Sequence, residues 1–429
     1  MKILVIGSGG REHCIVWKLL QSKKIEKIYC APGNAGIATQ AECLNIPVED
    51  ISGLLQVARD KKIDLTIVGP ELPLSMGVVN LFEKNNLPIF GPTQEAAEIE
   101  SSKVFAKNIM NKYQIPTARY RAFKDYKLAQ SYLQKQSFPL VIKADGLAAG
   151  KGVFIVQDLS QAEKAISYIM KENKFGHAGN KIVIEEYLTG EEVSMLVFTD
   201  GEHFIPMRPS QDHKKLYDGD SGPNTGGMGA YSPVPFFDDK AQRYALEKIF
   251  KPVIKGMKQE GRKFKGVLYA GLILTDEGPK VLEFNARFGD PETQVILPGL
   301  KTDLIEILCA TREEKLSRIE LEWQHQAAVC VILASGGYPG EYEKGKIING
   351  IEKIENKQST MVFHAGTEKK GNNVISSGGR VLGVTAWAET LSCAIDTVYE
   401  KIGQISFEKL YYRKDIGEKG LKFSPDNII

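Results

Sequence analysis

Ile3 to Ile6 is an unbroken apolar run that stops at Gly7-Ser8-Gly9-Gly10, and from Glu12 to Leu20 apolar residues recur at helical spacing. A run with no polar face is covered on both sides, so this opening predicts a buried strand, a tight turn and a helix in a parallel sheet. The unit recurs. Lys27 to Ala31, Asp64 to Val68 and Pro88 to Phe90 read as further strands, the last two ending in Gly69-Pro70-Glu71 and Gly91-Pro92. A doubly wound α/β domain follows, and ligands of such sheets gather at the carboxyl ends of the strands. Gly9, Gly10, the loop Pro32-Gly33-Asn34-Ala35-Gly36 and Glu71 all fall on that edge. The plainer readings are that the glycines only form turns and that Glu71 only caps a helix starting near Leu72. A nicotinamide site is disfavoured. The third glycine position of the dinucleotide fingerprint holds Glu12, which would block helix packing and face the pyrophosphate with its charge.

At 429 residues the chain has room for two or three domains, and 43% apolar content is enough for proper cores. A formal charge of +2 with mixed signs excludes a whole-protein field aimed at nucleic acid or an anionic membrane. The six cysteines include no Cys-x-x-Cys pair, which points to buried thiols in a reducing compartment, with no zinc site and no disulfide framework. The start is too short an apolar run for a signal peptide, and no later run approaches a membrane span, so a cytoplasmic location is expected.

Lys280 to Phe284 alternates polar and apolar positions after the turn-like Asp276-Glu277-Gly278-Pro279 and predicts the second arm of a hairpin whose first arm is Gly266 to Leu274. Glu283 and Asn285 then share one face, offering the hard oxygens that Mg2+ takes when phosphates also hold it. Arg287, Asp290 and Glu292 crowd behind them. Upstream, a helix from Ser101 to Asn111 places Lys103 in its first turn, where a cation opposes the helix dipole and an anionic partner would explain it. Strands Pro139 to Lys143 and Val153 to Val156 flank Asp145-Gly-Leu-Ala-Ala-Gly-Lys-Gly152. That segment is one residue short of a Walker loop and is followed by a strand, so it reads as a flap over phosphates with Lys143 at its base. Lys181 to Glu185 leads into an acidic bend through Glu192, suited to an adenine edge and ribose hydroxyls. Gln211 to Tyr231 reads as a long glycine-rich loop for a small polar substrate. From about Gln326 short strands (Ala328 to Ala334, Thr360 to His364, Arg380 to Trp387) and a helix from Leu391 to Ile402 suggest a cap, which Gly378-Gly379-Arg380 either lines or merely scaffolds.

The motifs Ile6-Gly-Ser-Gly-Gly-Arg-Glu-His13, Val68-Gly-Pro-Glu71, Lys143-Ala-Asp-Gly-Leu-Ala-Ala-Gly-Lys-Gly152, Gln211-Asp-His-Lys214, Gly222-Pro-Asn-Thr-Gly-Gly-Met-Gly-Ala-Tyr231 and Asn285-Ala-Arg-Phe-Gly-Asp-Pro-Glu292 together resemble the ATP-grasp superfamily. Within it the chain is similar, over its full length, to the phosphoribosylamine-glycine ligases of purine biosynthesis. The resemblance implies a mixed α/β and α+β architecture: an N-terminal doubly wound parallel sheet (1–101), an ATP-grasp region (102–325) with a glycine-rich flap subdomain at about 117–192, and a small C-terminal α/β cap (326–429). It implies ligation of glycine to 5-phosphoribosylamine with ATP and Mg2+ or Mn2+. By similarity, Lys103, Lys143, Gly146, Gly150, Lys151 and Gly152 hold ATP phosphates, Glu185, Tyr187, Leu188 and Glu192 frame adenine and ribose, and Glu283 and Asn285 ligate the metal. Gly9, Gly10, Asn34, Glu71, Asp212, Asn224, Thr225, Arg287 and Asp290 would surround the two substrates, with Arg287, Lys143 and Asp212 in the chemistry. The expected assembly is a monomer, or a dimer, without nucleic-acid or membrane partners. Many superfamily members carry a second metal carboxylate on the preceding strand, yet Leu268 to Ile273 has none. A different ATP-grasp ligase or carboxylase would lack the Asn224 loop, and a non-catalytic nucleotide binder would be expected to lose Lys143, Glu283 or Arg287.

Overall fold

The computed structural model describes residues 1–147, 152–172, 174–354 and 359–423. Its first sheet runs Glu42–Cys43, Lys27–Pro32, Lys2–Gly7, Leu65–Val68, Ile89–Phe90, all parallel. The first strand lies central, so the winding reverses beside it, and the turn at its end opens directly onto the helix Gly10–Leu19. Glu12 shapes this turn. Its Oε2 accepts from the Gly9 N–H at 2.6 Å, and a Cβ on Gly7 (φ +128°) would lie 2.5 Å from its Cγ. The carboxylate therefore fills the space over the turn that a pyrophosphate would need.

Two antiparallel four-stranded sheets follow. One joins Tyr120–Phe123, Ile182–Glu186, Leu140–Ala144 and Val153–Val156, and has a core of its own built on Ile142, Ile166, Ile169 and Ile184. The other joins Phe204–Pro206, Glu191–Thr199, Gly266–Thr275 and Gly278–Asn285. Its last two strands are the hairpin that the alternation predicted. Fully burying an isoleucine contributes about 1.5–3 kcal/mol, so a separate core of several lets the first sheet hold together as a unit.

The long loop expected at 211–231 is not structureless. It contains Gln211–Asp212 and Gly229–Ser232, which extend the sheet Ala327–Ser335, Arg380–Ala388, Thr360–His364, and between them the small hairpin Lys215–Tyr217 with Ser221–Asn224. Gly229–Ser232 is hidden in the sequence because its partner, Ala328 to Val331, lies far downstream, while the other pieces pair within the loop in strands of two to four residues. The helix placed from Ser101 begins at Lys103, capped by Ser102, whose Oγ accepts from the Phe105 N–H. Arg413, fully buried, ties the tail to the small hairpin through Asp220 (2.8 Å), Asp415 (2.6 Å) and the Lys215 carbonyl.

Candidate active site

One end of the cleft is built from lysines. Lys103 Nζ donates to the Gly146 carbonyl at 2.9 Å, and burial lowers its pKa. Lys143 Nζ lies 3.0 Å from Glu185 Oε2 and donates to the Leu282 carbonyl at 3.0 Å. Glu185 is 2% exposed, and its Oε1 has no partner among the described residues. Lys214 lies 3.0 Å from Glu192 and 4.0 Å from Glu283; burial alone would lower its pKa, but Glu192, Glu283 and Asp212 raise it. Glu283 is the converse case. Burial opposes its charge, but Lys214, Lys143, Lys103 and Arg287 hold its carboxyl below the usual range. Its side chain is 38% exposed, so it is ionised and reachable. Asn285 stands on the same strand, and the positions across from Glu283 and Asn285 are Gly271 and Tyr269.

Among the described residues no three His, Cys, Asp or Glu side chains are grouped to cage a metal. An ionised, open Glu283 beside an amide fits a hard divalent cation that shares its remaining oxygens with phosphates. Tyr187 (41% exposed) and Glu192 are exposed and Leu188 is half-buried, whereas Gly150 and Lys151 lie outside the described residues.

The other end is built from carboxylates and clamped arginines. Arg287 Nε donates to Glu71 at 2.7 Å, its Nη2 lies 2.9 Å from Glu100, and Nη1 donates to the Phe288 carbonyl. Burial opposes ionisation of Glu71, yet Arg287 and Arg11 outweigh it and bring its pKa down to about 2. Asp290 accepts from the Arg11 N–H (3.3 Å) and Gln294 (2.9 Å) and lies 3.4 Å from Arg380, while Gly9 and Gly10 pack against its oxygens. Asp212 has no such support: its Oδ1 is buried without a hydrogen-bond partner among the described residues, and burial, then Glu292, push its pKa well up against Lys214 and Arg380. Glu292 itself accepts from the Tyr269 hydroxyl at 2.7 Å. A Cβ on Gly227 (φ +108°) would come within 2.6 Å of Asp212 Oδ1, so the loop's backbone closes over that carboxylate.

Residues 1–100, 101–293 and 328–419 match the N domain, the ATP-grasp (A) domain and the C domain of phosphoribosylglycinamide synthetase. The chain belongs to this synthetase family. It is 55% identical over 416 residues to a phosphoribosylamine–glycine ligase of Caldanaerobacter subterraneus, covering 97% of this chain and 99% of that one. It is 48% identical over 426 residues to the Escherichia coli protein of that name, covering 98% and 99%. A crystal structure of the Thermotoga maritima ligase superposes with a TM-score of 0.85 at 34% identity over 97% of this chain and 100% of that one. The biotin carboxylase domain of Hydrogenobacter thermophilus 2-oxoglutarate carboxylase, in complex with the magnesium salt of ADP, shares the fold at a TM-score of 0.76 and 15% identity, over 96% and 91% of the two chains.

In this synthetase the structure joins Glu71 directly to Arg287 and sets Asp290 against Gly9 and Gly10. Two expected substrate residues also hydrogen-bond to neighbouring backbone. Asn34 donates to the Ser8 and His364 carbonyls and accepts from the Gly36 and Ile37 N–H groups, and the Thr225 hydroxyl donates to the Lys214 carbonyl while accepting from the Gly227 N–H. Asn224 stays half-buried, its strand paired with Lys215. Sequence reasoning passed over Glu100, Lys107 and Lys214, and left Arg380 undecided. Arg380 Nη1 donates to the Gly226 (2.6 Å) and Asp290 (2.8 Å) carbonyls, so it pins the glycine loop to the strand end. The only available signals were a lysine one helical turn after Lys103 and an arginine following a glycine pair.

Proposed function

We propose that this chain uses ATP to join glycine to 5-phosphoribosylamine, giving glycinamide ribonucleotide, ADP and phosphate in purine biosynthesis. The observation that carries this reading is the division of the cleft: lysines gather around Glu283 where a triphosphate would lie, and Asp212, whose buried Oδ1 has no hydrogen-bond partner among the described residues, stands beside Glu292 where an ammonium would lie. The family's relatives bear the name of that ligase.

A carboxylate is a poor electrophile, so the glycine oxygen first attacks the γ-phosphorus and ADP leaves, giving glycyl phosphate. The amine of phosphoribosylamine then attacks the acyl carbon, phosphate departs, and the surplus amine proton passes to solvent or to phosphate. Positioning and charge neutralisation do most of this work. Lys103 and Lys143 would hold the phosphates under the flap that carries Gly146 and Gly152. Backbone groups at Glu185 to Leu188, with Glu192, would frame adenine and ribose. Arg287, its fork held by Glu71 and Glu100, would face the carboxylate and the transferred phosphoryl group, and Asp212 would take the glycine ammonium. Glu283 and Asn285 would hold Mg2+ or Mn2+, which would supply neutralising charge to the phosphates. Two like charges 4 Å apart repel by about 4 kcal/mol at an effective dielectric of about 20, which is the scale of the neutralisation required.

The chain acts as a monomer or dimer in the cytoplasm, in three domains spanning 1–101, 102–325 and 326–429, on small molecules alone; among the described residues no helix is long and apolar enough to cross a membrane. ADP release from Mg-ATP, measured with glycine alone, freshly generated phosphoribosylamine alone, and both, tests the reading. Turnover that needs both is expected. Release indifferent to either, or driven by another acid or amine, overturns the substrate assignment.

A further inference from the structure

Lys107 is a buried cation with no part in the chemistry above. It lies one turn after Lys103 on the helix Lys103–Lys112 and is 2% exposed. Its Nζ donates to Thr117 Oγ1 at 2.7 Å and lies 3.2 Å from Glu185 Oε2, the oxygen that Lys143 also reaches. Two lysines on one carboxylate oxygen leave a positive charge in excess in a place sealed from water. A Lys143–Glu185 pair alone would be closed and neutral. A phosphate drawing Lys143 away from it would strand a bare carboxylate, and uncompensated buried charge is strongly unfavourable. With Lys107 in place, Glu185 keeps a partner whichever way Lys143 turns. The arrangement is also tied to the metal strand: Thr117 Oγ1 donates to the Val281 carbonyl at 2.6 Å and Lys143 to that of Leu282, just before Glu283.

We propose that Lys107 is a positioning residue that holds the charge of Glu185, so that Lys143 stays free to serve a nucleotide phosphate. This rests on the reading that the phosphates lie against Lys143. The groups facing Lys107 are Glu185 and Glu186 on one strand, Lys143 on the next, and the Tyr120 ring, its centroid 5.6 Å away. Burial, with Lys143, pushes its pKa down to about 8 against the pull of Glu185. The charge is therefore present at neutral pH and lost as pH rises through about 8.

Calorimetric binding of ADP with Mg2+ to the full chain, alongside the KM for glycine, tests this in Lys107→Met and Lys107→Arg. Lys107→Met is expected to weaken ADP tenfold or more with the glycine KM within twofold, and Lys107→Arg to stay within threefold of the parent. Between pH 7 and 9 the parent should lose ADP affinity and Lys107→Arg should not. Unchanged ADP binding in Lys107→Met, an equal rise in every substrate's KM, or a full alkaline loss in Lys107→Arg overturns the proposal. Should Lys107→Met fail to fold, Lys107→Gln carries the same readouts. A parent protein that binds no ADP removes the nucleotide reading and this proposal with it; one that binds ADP but fails to ligate glycine leaves Lys107 to be judged by ADP binding.

Discussion

Around Glu283 the cleft gathers Lys103, Lys143 and Lys214, with Lys107 behind them on Glu185; around Arg287 it gathers Glu71, Glu100, Glu292, Asp290 and Asp212, with Arg11 and Arg380 as the other cations. Both regions are highly charged, yet their surpluses have opposite sign. At the lysine end Glu185 is shared by two lysines and Glu283 by several cations. At the arginine end each guanidinium is shared among carboxylates, and Lys214 and Arg380 do not offset the burial of Asp212 beside Glu292. Buried charge of one sign persists only where something of the other sign completes it. Read by that rule, the lysine end is unfinished without an anion and the Asp212 corner is unfinished without a cation. ATP and an amino acid's ammonium meet those needs, and Arg287 stands where the two substrates would meet.

The largest expected effect comes from the carboxylate around which the lysine end is built. Glu283→Ala should lower kcat by at least about 10³-fold, the scale of losing a main electrostatic stabiliser, while leaving glycine binding within twofold; a loss of glycine binding as large as that of ATP would break the division. Arg380→Ala should come next. It frees Gly226 and Gly227 from Asp290, and a misplacement of about 1 Å away from the chemistry is enough for roughly a 10²-fold fall in kcat/KM for glycine. The KM for ATP should move little, and an equal rise in both would show that the glycine loop serves the nucleotide too. The smallest effect is in acid. Glu71 has a folded pKa of about 2 against an ordinary 4.5, so its pairing stabilises the fold above about pH 4.5, and that gain is lost as pH falls toward 2. Glu71→Gln should flatten that limb of the acid unfolding curve by about 1 kcal/mol, discounted because the side chain is 32% exposed.

Elements whose order is local were legible in the sequence. The hairpin ending at Asn285 shows its alternation, the helix Leu391–Ile402 its period, and the parallel strands their apolar runs into glycine. Legibility failed where order is imposed from far away. Gly229–Ser232 becomes a strand because Ala328 to Val331 pairs with it. Lys107 looks like any helix-surface lysine until Glu185, 78 positions on, covers it. Asn34 and Thr225 are expected at substrate by resemblance alone; in the fold the Asn34 amide donates to the His364 carbonyl and the Thr225 hydroxyl to that of Lys214, contacts no local pattern announces. The nature of the cleft could be read from its motifs, but which polar groups remain free within it depends on contacts between distant segments.

The most direct measurement is calorimetric binding of ADP with Mg2+, and separately of glycine in the presence of an ATP analogue that cannot transfer phosphate, to Glu283→Ala and Asp212→Asn. The account predicts a crossed result: Glu283→Ala loses most of its affinity for the nucleotide complex and keeps glycine, and Asp212→Asn keeps the nucleotide and loses glycine. If both variants lose the same ligand, or Asp212→Asn binds glycine like the parent, the two ends do not divide the substrates as their charges suggest.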